Sequence, residues 1–367
     1  MKATLFRGEL HYNSVTLHTA ASGEIDALDT LWLRMDDGTH QGIGEVRLNI
    51  HYLHGYSAEK VLHNVTQTLT HWDWTLPPQS MLAAVHAPDS TLLAPTRMLI
   101  DMALHDLLAR RSCATLPQWL GATATAPGYR TNQTLFWASE SQMIAQAQRY
   151  VERGFSQLKL RTGIADIATD VARLRKLRDI FGSDVSLAID VNGQWSLQQA
   201  QYAFPALYEL NLSYVEQPLA VSDDCLLTQL SGWGVPIMLD ESLNSPSAID
   251  RLIAANGALW GHLKLVKLGG IAPTVAAAQR LREAGIPFMI GQMNEGHVAT
   301  AAALQVCRVL QPQFAELYGA DGLIDDPASG LSYQHGEILV ADSYGLGVHF
   351  DAARATFHQE FSHATAK

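Results

Sequence analysis

Three carboxylates recur at a regular spacing in the second half of the chain. Asp190, Glu216 and Asp240 each follow a short apolar stretch, and they lie 26 and 24 residues apart. Each interval matches the length of one strand–helix unit. Three carboxylates brought together repel one another unless a cation neutralises them, and all-oxygen ligands favour a hard cation. The spacing therefore predicts a divalent metal site, with Mg²⁺ as the preferred ion and Mn²⁺ as the alternative.

Cationic residues flank this set on both sides. Lys159 and Arg161 are two residues apart on a predicted strand, so they share a face. Lys264 follows Asp240 by 24 residues, again one unit later. A carboxylate substrate at the metal would then have positive groups on opposite sides. That arrangement serves abstraction of a proton α to the carboxylate.

The two kinds of cation suit different roles. A lysine next to a second cation and Mg²⁺ is expected to have a lowered pKa, as a base requires, whereas an arginine keeps its proton. We therefore predict Lys264 as the base and Arg161 as its electrostatic partner. Lys267, three residues further on, is expected to face a loop. Glu241 and Asn192 are expected to point elsewhere or to support the metal ligands.

These residues fall at the ends of predicted strands. Eight short apolar strands are predicted at Tyr129–Leu135, Gln157–Arg161, Ser186–Val191, Ser213–Glu216, Pro236–Asp240, His262–Lys267, Pro287–Gly291 and Phe314–Tyr318. Helices are predicted between them at Ser139–Arg153, Asp166–Phe181, Leu197–Leu210, Cys225–Leu230, Ser247–Ala255, Ile271–Ala284 and Val298–Leu310. Strict alternation of this kind indicates an α/β fold with a closed parallel barrel, whose active site lies at the C-terminal ends of the strands.

The first third of the chain has a different pattern. Residues 1–125 are predicted to form an α+β domain with strands near Lys2–Tyr12, Leu28–Met35 and Gly42–Arg47, and helices near Ser57–Thr70 and Thr96–Arg110. The barrel would occupy residues 126–330. The tail, residues 331–367, is predicted to pack back on the first domain.

Composition excludes several classes of function. The chain of 367 residues has 36 acidic and 25 basic side chains, a net charge of −11, which argues against nucleic acid as a partner. No apolar run approaches a membrane span, and the N-terminus lacks the apolar core of a signal peptide. The cysteines (Cys113, Cys225 and Cys307) are far apart, which favours a reduced, cytoplasmic protein. We expect a small carboxylate substrate and a homo-oligomer.

Several short motifs together resemble one family over nearly the whole chain. They are Gly42-Ile43-Gly44-Glu45, Asp190-x-Asn192, Glu216-Gln217-Pro218, Asp240-Glu241-Ser242, Lys264 ahead of Gly269-Gly270, Met293-Asn294-Glu295-Gly296 and Glu316-Leu317-Tyr318-Gly319. The pattern is similar to the enolase superfamily, and within it to the muconate lactonizing enzyme subgroup. The resemblance implies a (β/α)₇β barrel under a capping domain and Mg²⁺ on the three carboxylates. It also implies acid–base residues at the ends of strands two and six. The predicted catalytic residues are Lys264, Arg161, Lys159 and Glu295.

One position departs from the family pattern. Arg161 stands where the motif has its second lysine. Racemases and epimerases need a base on each face of the α-carbon, whereas cycloisomerases and syn-eliminating lyases need one. The departure therefore favours a one-base cycloisomerase or lyase. Three alternatives stay open: a racemase or epimerase of an acylated amino acid or dipeptide, an acid-binding protein that has lost turnover, and an unrelated metal-dependent hydrolase. The hydrolase is disfavoured because residues 129–135 contain no His-x-His.

The substrate contacts are less constrained by the sequence. Loops near residues 18–26 and 49–56 are expected to cover the substrate, and the second is rich in His and Tyr. Candidate substrate-binding residues are Tyr52, Asn132, Gln133, Asn192 and Asn294. Their amides suggest a substrate more polar than a diene diacid, and the sequence leaves its identity open.

Overall fold

The computed structural model describes residues 1–13, 16–123 and 126–363. Its N-terminal part has five strands, β1 (Lys2–Leu10), β2 (Leu17–Thr19), β3 (Gly23–Ile25), β4 (Leu28–Asp36) and β5 (Gln41–Arg47). Five helices follow: α1 (His51–His54), α2 (Ala58–Thr70), α3 (Pro78–Val85), α4 (Ala94–Arg111) and α5 (Leu116–Trp119). Strands β1, β4 and β5 pair antiparallel, and β2 pairs with β3 in a separate hairpin.

Helix α4 lies unusually close to strand β5. A Cβ atom at Gly42 would lie 2.2 Å from the carbonyl oxygen of Ala103, and one at Gly44 would lie 2.1 Å from that of Leu99. Only glycine permits this approach of backbone to backbone. The two glycines of the Gly-Ile-Gly-Glu motif therefore fix how closely the helix packs on the sheet.

The barrel is an eight-stranded sheet in sequence order. The barrel strands are β7 (Gln133–Leu135), β8 (Gln157–Arg161), β9 (Ser186–Asp190), β10 (Val215–Glu216), β11 (Ile237–Leu239), β12 (Trp260–Lys264), β13 (Phe288–Gly291) and β14 (Phe314–Glu316). Strand β6 (Gly128–Arg130) comes before the barrel in the chain and is not part of it. Each neighbouring pair from β7 to β14 is parallel. The Asn132 backbone N–H donates to the carbonyl of Ala315 at 3.1 Å, which brings the two edges of the sheet together.

Helices surround the barrel, and polar caps mark where they start. They are α6 (Glu140–Glu152), α7 (Ile167–Phe181), α8 (Leu197–Glu209), α9 (Pro246–Ala254), α10 (Leu265–Leu268), α11 (Ile271–Glu283) and α12 (His297–Leu310), with 3-10 turns at Val221–Gln229 and Ser231–Trp233. Ser139 and Ser196 each accept from a backbone N–H three residues later, and the glutamine there reaches back to the cap. These capping boxes explain the helix starts from local sequence alone.

Five strands follow the barrel: β15 (Ala328–Ser329), and in the tail β16 (Leu331–Gln334), β17 (Glu337–Val340), β18 (His349–Phe350) and β19 (Thr356–Ser362). Strand β19 pairs with β1 at the edge of the N-terminal sheet. Strand β17 pairs with β6. The sequence predicts one barrel strand over residues 129–135, but residues 128–130 belong to this tail sheet. Only Gln133–Leu135 pair with β8.

The predicted fold class, a (β/α)₇β barrel with an α+β N-terminal domain, is confirmed. Among the described helices, none is both long and apolar enough to cross a membrane. All three cysteines are unpaired.

Candidate active site

The interior of the barrel is built in layers by the alternation of its strands. The lower layer is apolar and contains Ala188, Tyr214, Met238 and Met289, with Trp260 and Phe314 packed against it. Since side chains two residues apart share a face, the next inward position on each strand lies one layer higher. Those positions are Asp190, Glu216, Asp240, His262 and Glu316, and all are buried. A charged layer therefore lies directly above an apolar floor.

Lys159 lies at the centre of the charged layer. Its side chain is fully buried, and its ammonium donates to Glu216 at 2.7 Å and forms an ion pair with Glu316. It lies 3.6 Å from Asp190. Burial lowers the pKa of Lys159, but Glu216 and Glu316 raise it by more, so the net shift is well upward. Lys159 is therefore a fixed positive charge.

The two predicted proton-transfer residues lie on opposite sides of the barrel mouth. Arg161 ends β8 and donates to Asp190, whereas Lys264 ends β12 and donates to Asp240 at 2.6 Å. Strands β8 and β12 are four places apart in the eight-stranded order. Burial lowers the pKa of Arg161, but Asp190, together with Tyr318, Glu316 and Glu216, raises it by more. Arg161 therefore stays charged.

The protein groups around Lys264 raise its pKa, and the lowering predicted for a lysine beside Mg²⁺ stays a prediction. Burial lowers that pKa, but the carboxylates of Asp240, Glu216 and Glu316 raise it by more, so the net shift is upward. Carboxylates surround the ammonium more closely than cations do. Glu316, on the last strand of the barrel, is one of these carboxylates.

Lys267 does not face the loop, and that prediction is wrong. Its ammonium is buried and donates to Asp240 Oδ1 at 2.6 Å, to the Asp240 carbonyl at 2.5 Å and to the His262 carbonyl at 2.8 Å. The cause is a change of backbone direction, because the chain leaves β12 at Lys264 and makes the short helix α10. Lys267 thus holds Asp240 from the side opposite to Lys264.

Asn192 and Glu241 lie at the same opening. Asn192 donates to Glu241 Oε1 at 3.1 Å, and the other carboxylate oxygen of Glu241 is buried with no partner among the described residues. Burial, followed by the charges of Asp240 and Asp190, raises the pKa of Glu241 to about 8. Of the two expectations for Glu241, that it points elsewhere is wrong, since it lines the cavity described next, and that it supports the metal ligands stays a prediction.

A small cavity opens above the charged layer, between the barrel and the N-terminal domain. Its volume is about 20 Å³, room for a water molecule or two. The barrel contributes Arg161, Asn192, Asp240, Glu241, Lys264 and Asn294, and the N-terminal domain contributes Leu17, Thr19, Arg47, Tyr52 and Leu53. The β2–β3 hairpin and helix α1 therefore close over the barrel mouth, as the sequence predicts for these loops.

Three other predicted site residues point away from this cavity. Asn132 donates to Glu316 at 2.9 Å inside the barrel, and Gln133 donates to Asp321 at 2.8 Å. Glu295 accepts from the Met293 backbone N–H at 3.2 Å, and burial raises its pKa to about 7. The structure does not bring these three together with Arg161 and Lys264. Their predicted roles stay predictions.

The donor chemistry fits a hard divalent cation. Asp190, Glu216 and Asp240 are buried carboxylates at the ends of neighbouring strands. Burial raises the pKa of Asp190, Arg161 lowers it, and the charges of Glu216 and Asp240 raise it further. Mutual repulsion of this kind is relieved by a bound cation. A second buried group, Glu216, His262 and Glu316, has ligand atoms within 4.8 Å of one another and could also hold a metal. We favour the first set because its donors are all carboxylate oxygens, which a hard divalent cation prefers, whereas the second includes a histidine nitrogen.

Sequence reasoning missed His262, Glu316 and Arg47 as parts of this site. His262 precedes Lys264 by two residues on one strand, so the period-two rule places it on the same inward face. Glu316 belongs to a motif already noted and also follows a buried strand. Arg47 carries no comparable signal, because it reaches the cavity from a different domain.

Comparison with known proteins places the chain in a family. Residues 142–354 match the family described as Enolase C-terminal domain-like. The chain is 32% identical to a chloromuconate cycloisomerase of Pseudomonas putida over 69% of both chains. It is 28% identical to an N-succinyl-L-Arg/Lys racemase of Bacillus cereus, again over 69% of each. A dipeptide epimerase from Enterococcus faecalis, complexed with Mg and the dipeptide L-Leu-L-Tyr, superimposes with a TM-score of 0.86 at 25% identity, covering 95% of this chain and 98% of that one.

The fold, the charged residues at the strand ends and these similarities all indicate the same family. The chain belongs to the enolase superfamily, and within it to the muconate lactonizing enzyme subgroup. The similar proteins include cycloisomerases, which need one base, and racemases and epimerases, which need two. All of these relatives are isomerases.

Proposed function

We propose that the protein is a Mg²⁺-dependent isomerase or lyase that removes the α-proton of a small carboxylic acid with a single base, Lys264. The observation that carries this proposal is the pairing of Lys264 with Arg161 across one cavity. One of these cations can exchange a proton, and the other keeps its charge at any physiological pH. The reaction classes that fit are cycloisomerisation and syn elimination.

Asp190, Glu216 and Asp240 would hold the Mg²⁺ ion. When bound, the ion supplies positive charge that stabilises the negative charge developing on the substrate carboxylate. Lys267 and Lys264 both donate to Asp240, so they fix the orientation of that carboxylate.

Lys264 would take the proton from its side of the α-carbon and hold it at Nζ. Its ammonium also lies 3.6 Å from Met293 Sδ, so the side chain is held on the cavity wall. Arg161 would donate to a substrate oxygen from the opposite wall, where it adds charge stabilisation and accepts no proton. Protons would therefore leave and return on one face only.

Water exclusion is the contribution of the N-terminal domain. Leu17, Tyr52 and Leu53 line the cavity from that side. A dry site strengthens the interaction of Arg161 and Lys264 with a bound carboxylate.

A racemase or epimerase is the second candidate, and the similarity to the Bacillus cereus racemase favours it. It would need a second base near Arg161. Lys159 lies two residues away, but it is fully buried, enclosed by Glu216 and Glu316, and is not among the residues that line the cavity. The predicted domain boundary at residue 125, the homo-oligomer and the cytoplasmic location stay predictions.

The test is exchange of solvent deuterium at the α-carbon, screened over muconate-type acids, acylated amino acids and dipeptides. Because a general base contributes about 10²–10⁴-fold, Lys264→Ala should lower exchange of any accepted acid by at least about 10²-fold. Its Mg²⁺ affinity should persist. Lys176→Ala, an exposed lysine on α7, is the matched control. If Lys264→Ala exchanged the α-proton at the rate of the unmodified protein, the assignment of Lys264 as the base would be wrong.

A further inference from the structure

Two side-chain amides form part of the cavity wall, and only one of them, Asn294, was a predicted substrate contact. Gln292 and Asn294 follow strand β13, and both line the cavity. Their side chains are buried, with relative exposures of 4% and 7%. Met293, between them, has its sulfur atom 3.6 Å from Lys264 Nζ. The two amides therefore lie on the wall beside the proposed base.

The amide of Gln292 is held in one orientation. Its nitrogen donates to the Met293 carbonyl at 3.1 Å and to Thr300 Oγ1 at 2.7 Å. A carbonyl oxygen only accepts, so the end that faces Met293 must be the nitrogen. The space around that nitrogen is tight, since a Cβ at Gly319 would lie 2.2 Å from it. The other end, Gln292 Oε1, is buried and has no hydrogen-bond partner among the described residues.

Tyr12 holds the amide of Asn294 in the same sense. The Tyr12 hydroxyl donates its one hydrogen to the Gly319 carbonyl, so it can only accept from Asn294. Asn294 Nδ2 donates to it at 2.9 Å. Within residues 1–13, 16–123 and 126–363, Asn294 Oδ1 accepts no hydrogen bond. Because Tyr12 follows β1, the N-terminal domain fixes an amide of the barrel.

Both amides therefore leave an oxygen without a protein partner. A buried acceptor that stays unpaired is costly, so such groups nearly always find a donor. In the free protein a water molecule can supply that donor, and the cavity has room for one or two. A ligand that displaces the water must bring an N–H or O–H group of its own.

We propose that Gln292 and Asn294 form an acceptor pair that selects acids with an N–H or O–H donor on the α-carbon, and that Tyr12 and Thr300 are the positioning residues of this pair. The inference deepens the proposed function and rests on it, since the α-carbon is taken to lie beside Lys264. Both acceptors are uncharged, so an amide N–H and a hydroxyl are equivalent donors. An acid without a donor leaves both oxygens unpaired and is disfavoured.

The experiment compares matched ligands by calorimetry with saturating Mg²⁺. The first set is the N-acetyl derivatives of alanine, leucine and glutamate, each against the ester in which oxygen replaces the amide N–H. The second set is the corresponding 2-hydroxy acids, each against the acid in which fluorine replaces the hydroxyl. At least one donor-bearing acid should bind the unmodified protein on the order of 10- to 100-fold more tightly than its counterpart. The set that shows this preference identifies the donor as N–H or O–H.

Two variants remove the acceptors and keep the size of the side chains. Asn294→Leu and Gln292→Met should each lower the preference several-fold by weakening the donor-bearing acid alone, and the double variant should abolish it. Gln148→Met, which removes an exposed amide of α6, is the control and should leave the preference intact. Each ratio is measured on one protein, so a partly unfolded variant changes the stoichiometry of binding and not the ratio.

Two further variants test the positioning residues. Tyr12→Phe and Thr300→Val leave the amides in place but remove a group that holds their nitrogens, so each should lower the preference while the counterpart without a donor binds as before. Tyr202→Phe, at an exposed tyrosine of α8, is the control. A merely structural role of Tyr12 or Thr300 would weaken both members of a ligand pair equally.

The inference is overturned if no donor-bearing acid binds the unmodified protein more tightly than its counterpart, or if the preference survives in the double variant. Equal weakening of both ligands in Tyr12→Phe would overturn the role of Tyr12. These outcomes are distinct from the test of the proposed function. Loss of the preference in the double variant supports the acceptor pair even if Lys264→Ala still exchanges the α-proton, and exchange that depends on Lys264 without any such preference leaves only the proposed function standing.

Discussion

At the scale of single residues, period-two alternation explains most of the site. It places Lys159 with Arg161 on β8, and it places Asp190 and Glu216 side by side in the register of β9 and β10. These positions could be predicted because they need only strand order. Lys267 could not, because its direction depends on the turn of α10, which ends at Gly269 with a φ of 97°.

The metal assignment predicts a specific loss in Asp240→Asn. This change keeps the shape of the side chain but removes a charged ligand. Mg²⁺ affinity should fall by more than about 100-fold, beyond the 10- to 100-fold typical of groups that only support a ligand. Isothermal titration measures it, with Asp179→Asn on the exposed side of α7 as the control. Undiminished affinity would show that the ion binds elsewhere.

Gly291 predicts a packing conflict with His262. A Cβ at Gly291 would lie 2.0 Å from His262 Nε2, so Gly291→Ala should lower the free energy of unfolding by about 1–3 kcal/mol through overpacking. Adding His262→Ala should recover part of the lost stability, because it removes the imidazole ring that clashes with the new Cβ atom. Urea unfolding of the two single variants and the double variant measures the coupling. Strict additivity would contradict this explanation.

At the scale of elements, the N-terminal domain holds the starts of two barrel helices. Glu45 accepts from the backbone N–H groups of Gly296, Val298 and Ala299 at the start of α12. Asp101 of α4 accepts from the N–H of Ile271, the first residue of α11, at 2.6 Å. Helix starts within the barrel were predictable from local capping residues. These contacts between domains were not, because they join residues far apart in sequence.

Asp101 carries a pH prediction. Burial raises its pKa, but His105 and His86 lower it by more, so the folded value is about 2 against the ordinary 3.8. The unfolded chain then binds more protons between pH 4 and pH 2, so this contribution is present above about pH 4 and is lost as pH falls through 2. At neutral pH the ionised Asp101 side chain contributes roughly 2 kcal/mol to the free energy of unfolding.

Asp101→Asn should therefore be less stable than the unmodified protein at pH 7, and the difference should shrink as pH falls from 5 to 3. Chemical unfolding across that range measures it, with Asp179→Asn as the control. A difference in stability that stays constant with pH would show that the Asp101 charge contributes nothing.

At the scale of the whole molecule, the site depends on two domains and on both ends of the chain. Strand β19 completes the N-terminal sheet beside β1, with Lys2 opposite Ser362. The barrel could be predicted from its repeating alternation. The pairing of β6 with the tail hairpin could not, because a three-residue strand carries no signal of its partner.

The net charge of −11 does not reveal that several positive side chains line the site. Acidic side chains dominate the composition, yet Arg47, Arg161 and Lys264 meet at one cavity. The net charge therefore does not describe the cavity wall, where these cations alternate with Asp240 and Glu241. Only the fold brings these three cations together.

The most direct test of the one-base account is exchange in D₂O of both enantiomers of an accepted acid, followed in the unmodified protein and in Arg161→Lys. The unmodified protein should exchange one enantiomer only and should not racemise it, because Arg161 cannot accept a proton. Arg161→Lys places a titratable amine on the second face and should introduce slow exchange of the other enantiomer. Equal exchange of both enantiomers by the unmodified protein would contradict the account and establish two-base chemistry.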